Sequence, residues 1–104
     1  MATTHDVTLT NASVYTRNFR TAYPGKIKGG KIPKTEIQEI LSQAGCAELR
    51  YYFCIDDPTK PNEISVIFVG VDANGNDMIA ANNALKNNVA MCPPVCGVAN
   101  VLNQ

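Results

Sequence analysis

The chain has 104 residues, 45% of them apolar, and nine basic residues balance nine acidic ones. That length fits one domain able to bury about 65% of its unfolded surface, and the even charge leaves no net field to hold a polyanion, so nucleic acid is not an expected partner. The unbroken apolar runs, such as Val66 to Val69, are far short of the roughly 20 residues that cross a bilayer. The Met-Ala-Thr-Thr-His-Asp start has neither the basic stretch nor the apolar run of a signal peptide, so a cytoplasmic protein is expected.

In chain order, residues 1–7 are polar and read as a loose segment, with His5 a solvated side chain rather than a catalytic base. Thr8 or Thr10 can cap a first helix over about 10–22, whose stripe Ala12, Tyr15, Phe19 and Ala22 has helical spacing and reads as core-facing. Tyr23-Pro24-Gly25 ends it, because proline disfavours the helical conformation in the residue before it. Residues 26–31, with three Lys and two Gly, suit either a short edge strand around Ile27 or a loop, and the loop is favoured. A second helix begins at Pro33 and carries Ile37, Ile40, Leu41 and Ala44 on one face. Gly45 supplies the left-handed residue that stops it.

The richest β-forming stretch follows, read as strands over Leu49 to Ile55 and Glu63 to Val71. In the first, Leu49, Tyr51, Phe53 and Ile55 share a face expected to be buried, and Glu48, Arg50, Tyr52 and Cys54 share a mixed one. The second is apolar on both faces, which predicts a central strand with Val66, Ile67, Phe68 and Val69 all largely buried in the monomer or in a dimer. Asn74-Gly75 predicts a tight type I′ hairpin leading to a third strand, Asp77 to Ala81. That register would oppose Asp72 and Asp77. Like charges directly opposed destabilise, so a longer loop, splayed carboxylates or a bound calcium ion must relieve them. The calcium reading is weakened by Asp77 where an acidic calcium loop needs Gly, and by Asn83 where it needs Glu. Residues 80–91 fit a short helix on the spacing of Ala81, Leu85 and Val89, although four Asn residues weaken it. The Cys92-Pro93-Pro94-Val95-Cys96 tail reads as extended or turned, and Val98, Val101 and Leu102 as packed on the domain. The expectation is an α+β fold: two N-terminal helices on a small antiparallel meander of about three strands, with an extended C-terminal tail.

Arg50-Tyr51-Tyr52, Val69-Gly70-Val71-Asp72, Asn74-Gly75, Asp77-Met78, Cys92-Pro93-Pro94-x-Cys96 and the closing Leu102-Asn103 together resemble a family of short bacterial proteins of uncharacterised function. The resemblance brings no activity, substrate or catalytic residue with it.

Chemistry is concentrated in four cysteines. With no leader in sight, free thiols are expected, and proline-favoured extension argues that Cys92 and Cys96 are not bonded to each other. Zinc is the alternative cofactor: Cys92 and Cys96 have ligand-like spacing, and Cys46 at the helix-to-strand junction is the expected third ligand. A redox pair is a weaker option, since the spacing exceeds Cys-x-x-Cys and prolines replace the helix start. No paired acid/base arrangement stands out. The leading expectation is therefore a non-catalytic module that binds a protein partner, or itself, through a sheet face of Arg50, Tyr52 and Phe68 or through its tail. A thiol or zinc module centred on Cys92 and Cys96 is the competing one.

Overall fold

A computed structural model describes residues 5–87 and 89–104. Residues 1–4 of the expected loose start over 1–7, and residue 88 of the ambiguous stretch, lie outside them. The elements run α1 (Leu9–Ala22), β1 (Gly29–Lys31), α2 (Lys34–Leu41), β2 (Cys46–Ile55), β3 (Ile64–Asp72), β4 (Leu85–Lys86) and β5 (Ala90–Cys92). This is an α+β fold with an antiparallel three-stranded sheet, β2-β3-β4, and a separate antiparallel pair, β1-β5.

Local signals place both helices. The Thr8 hydroxyl accepts from the Asn11 amide at 3.1 Å and caps α1, while Pro33 stands just before α2 with no side-chain cap and Gly45, at φ +85°, supplies the turn beyond its end. Only α2 behaves as a core helix. It packs against β2 and β3 and brings Ile40 to 0% exposure, although Leu41 of the same expected face stays 48% exposed. No residue of α1 is buried, so its stripe is not core-facing. One polar contact ties α1 to the tail: Arg20 donates to the Leu102 carbonyl at 2.7 Å.

β3 is central, as its two apolar faces require, and Val69 and Val71 are each 2% exposed. Its other large side chains, Val66, Ile67 and Phe68, are only half-buried. β2 departs further from expectation. Leu49, Tyr51, Phe53 and Ile55 are 36%, 60%, 76% and 47% exposed, so the face expected to be covered is open. The physical reason is that the helix expected to cover it, α1, does not pack down on the sheet and leaves a groove there instead, and α2 is only eight residues long.

The third strand is displaced. Of the expected strand over Asp77 to Ala81, one bridge from Asp77 to Val71 forms, and the chain continues to β4, which pairs Leu85 with Val69 and Lys86 with Phe68. The loop before it is longer than a type I′ turn. Gly75 alone takes positive φ, the Gly75 amide donates to the Asp72 carbonyl, and Asp72 Oδ1 accepts from the amides of Asn74 and Asn76. Lys86 Nζ then lies 2.8 Å from both Glu36 and Glu39, tying β4 to α2, and Gln43 Oε1 accepts from the Ala84 amide at 2.8 Å. Gly70 permits the approach of Gln43: a Cβ there would stand 3.1 Å from Gln43 Nε2 and 3.1 Å from Cys46 Sγ.

Residues 29–31 form a strand where a loop was favoured, because β5 pairs with them across some 60 residues of sequence. The stretch 80–91 correspondingly yields β4 and most of β5 rather than a helix. The tail is turned, not extended, through a set of Asn contacts in which Asn103 Nδ2 donates to the Cys96 carbonyl at 2.9 Å. Val98 is 89% exposed and does not pack on the domain.

Candidate functional site: an open apolar sheet face and groove

The β2-β3 register sets the composition of each sheet face. Tyr51 pairs with Phe68, Phe53 with Val66 and Ile55 with Ile64, so odd-numbered residues of β2 share a face with even-numbered residues of β3. Phe68 therefore stands beside Tyr51, at 6.5 Å between ring centroids, and not with Arg50 and Tyr52 as expected. The expected grouping assumed a register one residue away, and a one-residue slip exchanges the faces. Tyr51 and Phe53 add an edge-to-face pair at 6.0 Å. One face thus carries Leu49, Tyr51, Phe53, Ile55, Ile64, Val66 and Phe68 with no charge among them.

Arg50 and Tyr52 are committed elsewhere. Both donate to the Asp77 carboxylate, and Arg50 also pairs with it as an ion. The guanidinium is held above its ordinary pKa, first by its hydrogen bond with Tyr52 and then by the Asp77 charge. This arrangement also settles the acidic turn. Val71 is opposite Asp77, so Asp72 and Asp77 are not directly opposed, and the longer loop relieves their repulsion. Each carboxylate is occupied: Asp72 by the Asn74 and Asn76 amides, Asp77 by Arg50 and Tyr52. A calcium ion shared by Asp72 and Asp77 would have to compete with Arg50 and Tyr52, which hold both oxygens of Asp77.

The cysteines correct the sequence reading directly. Cys92 and Cys96 form a disulfide, with Cα atoms 4.7 Å apart, and Cys46 and Cys54 are free. Extended polyproline geometry would hold the two Cα atoms far beyond bonding reach. The chain instead turns at two cis prolyl bonds, Cys92-Pro93 and Pro93-Pro94, and the Val95 amide donates back to the Met91 carbonyl at 2.9 Å. Sulfurs bonded to each other are not thiolate ligands, so the zinc set Cys92, Cys96 and Cys46 does not form in this state. Among the described residues no group of three or more His, Cys, Asp or Glu is placed to hold a metal ion. Cys54, on β2, is pushed up in pKa by burial and then by the charge of Asp56, whose Oδ1 lies 3.6 Å from its sulfur.

The feature that sequence reasoning missed is a groove of about 890 Å³. Its floor is the open sheet face at Phe53, Ile55, Ile64 and Val66, and one wall is the end of α1 at Phe19 and Tyr23, whose rings are 5.1 Å apart. A further wall comes from Ile27, Gly30 and Met91 at the β1-β5 pair, and Lys26 and Lys28 complete the lining on that side of the chain. Gly30 matters to that wall: a Cβ there would fall 2.7 Å from Met91 Sδ and 3.3 Å from the Ala90 carbonyl, so β1 and β5 are in close contact. A volume of this size lies within the range of ligand pockets, about 300–1,000 Å³, and its lining is apolar with few polar groups, as binding clefts are. The aromatic stripe of α1 was the available signal, misread as core. No helix among the described residues is long and apolar enough to cross a membrane. Comparison with protein-family models, curated proteins and solved structures finds no match.

Proposed function

We propose that this protein acts by binding, using the groove between the end of α1 and the β2-β3 face to hold an apolar partner group. The observation that carries the reading is the exposure of a charge-free aromatic surface, with Phe53 at 76% and Tyr51 at 60%, continuous with a walled cavity. A contiguous apolar patch of this kind marks an interaction site rather than ordinary surface. Catalysis has no comparable support, because the two carboxylates of the turn after β3 are already engaged, Asp72 by the Asn74 and Asn76 amides and Asp77 by Arg50 and Tyr52. Titration with the uncharged fluorophore Nile red tests the groove. Saturable binding that is lost in Tyr23→Ser supports it; binding absent from the folded wild type, or untouched by Tyr23→Ser, overturns it.

The Cys92–Cys96 bond favours a second reading in one respect. Disulfides persist in oxidising compartments and are rare in reducing ones, so the bond supports a setting outside a reducing cytoplasm. Fusing the chain to a compartment-specific reporter and counting protected thiols after rapid quenching tests this: two protected cysteines per chain support it, and four reactive thiols in the native setting overturn it.

A further inference from the structure

We propose that β2 is the site of self-association, pairing antiparallel with β2 of a second copy about a two-fold axis at Tyr52 to give one continuous six-stranded sheet. This goes beyond the groove: it uses the edge of the strand where the groove uses the face, and Phe53 and Ile55 belong to both.

Three observations carry it. First, the chain exposes 7766 Å², more than a third above the ~5,700 Å² that folded monomers of 11.2 kDa show. Its radius of gyration is 15.6 Å, where about 13 Å is usual for a chain of this length. The excess surface surpasses the ~800 Å² that each partner buries in a stable interface.

Second, β2 is a sheet edge without the usual protection. Edges are ordinarily blunted by shortness, lysine, proline, bulges or cover. On the far side of the sheet, β4 is two residues long, and in the other sheet β1 has three residues and carries Lys31. β2 has ten residues, and its irregularity lies at one end, between Cys46 and Glu48. From Leu49 to Ile55 the strand is regular, contains no proline or lysine, and its one charge, Arg50, is turned to Asp77 of its own chain.

Third, the strand complements itself. An axis at Tyr52 sets Tyr51 opposite Phe53 and Leu49 opposite Ile55 of the second copy, so apolar residues meet apolar residues and the open face continues across the junction. Facing aromatic and aliphatic pairs of this kind stabilise antiparallel strands. An axis at Arg50 would oppose two guanidinium groups, and one at Tyr51 would draw in the irregular Ala47. The pairing also closes. Once the two β2 edges are joined, only the two-residue β4 strands remain outermost, so a dimer forms and not a filament.

Light scattering coupled to size exclusion tests the proposal on the full chain. The wild type is expected at twice the 11.2 kDa chain mass. The double variant Tyr51→Lys, Phe53→Lys, which puts like charges directly opposite across the junction, is expected at the single mass with its circular dichroism retained. Mixing it with Tyr51→Glu, Phe53→Glu should restore the double mass. A monomeric wild type, a higher polymer, or a dimer that survives the double lysine variant overturns the proposal. Should the double variant fail to fold, cross-linking decides. In a Cys46→Ser background, the axis at Tyr52 sets the two Cys54 Cα atoms about 14 Å apart, four strand rises, within reach of a bis-maleimide of about 13 Å span. Covalent dimers through Cys54 support the pairing, and their absence from a non-covalent dimer overturns it.

Discussion

Arg50 reaches across β3 to pair with Asp77: the two residues belong to segments that flank β3 on opposite sides, since β2 pairs with it along one edge and Asp77 bridges Val71 on the other. The ion pair, with the Tyr52 hydroxyl donating to the same carboxylate, clasps the loop after β3 to the sheet. This reverses the expectation drawn from apposed like charges, under which removing a carboxylate would relieve repulsion.

Asp77→Asn is accordingly expected to lower the melting temperature, because it removes the charge that Arg50 faces and one of the acceptors on which Arg50 and Tyr52 converge. The pair is partly exposed, so salt screens it. The deficit should therefore shrink in 1 M salt (a Debye length of about 3 Å) relative to low salt. Thermal unfolding followed by circular dichroism at the two ionic strengths checks this, and a variant as stable as the wild type at low salt would show the clasp to be idle. Calcium is expected to leave the wild-type transition unmoved, since both acidic side chains of the turn already have donors.

Stability should be concentrated where burial is. Ile40 is completely buried between α2 and the sheet, so Ile40→Ala is expected to cost about 2–5 kcal/mol, whereas the next residue, Leu41, is 48% exposed and its truncation to Ala is expected within about 1 kcal/mol. Urea unfolding of the two variants checks the contrast. Equal losses would mean that α2 is covered on both faces in solution.

What the sequence made legible is what neighbouring residues decide. Thr8 as a cap, Gly45 as a stop and the two long strands within a residue or three of their bounds all rest on local propensity, which acts within a few residues. What it concealed depends on pairing at a distance. Gly29 to Lys31 is a strand only because Ala90 to Cys92 lies beside it, and a three-residue run carries too little periodicity to announce that. Phe68 was assigned to the wrong face because the register of β2 against β3 follows from the geometry of the connection over residues 56–63, not from either strand alone. The apolar stripe of α1 was visible as a stripe, but periodicity reports that a face is apolar and not what will meet it, and here that face helps wall a groove at Phe19 and Tyr23. The disulfide was hidden by the prolines, whose usual trans geometry extends the chain.

The disulfide has a direct chemical check. Unfolded without reductant, the protein is expected to present two reactive thiols, Cys46 and Cys54, and after reduction four. Closing so short a loop restricts the unfolded chain modestly, so replacing both Cys92 and Cys96 with Ser is expected to cost about 2 kcal/mol in urea unfolding, near the low end for native disulfides. Four thiols before reduction would contradict the bond.

Cys54 should react late as pH rises. Burial disfavours its thiolate, and Asp56, with Oδ1 at 3.6 Å, adds charge repulsion, so both causes hold the thiol protonated beyond the ordinary thiol range. In a Cys46→Ser background, the alkylation rate with iodoacetamide is expected to reach half its maximum at a higher pH in the folded protein than in the unfolded chain. Asp56→Asn should move the folded midpoint down without erasing the difference, because burial remains. The sign for stability follows by linkage: a folded pKa above the unfolded value costs nothing while both states are protonated, and stability falls as pH climbs from the unfolded pKa through the folded one. A folded midpoint at or below the unfolded one would show that Cys54 is open to solvent at the β2 edge.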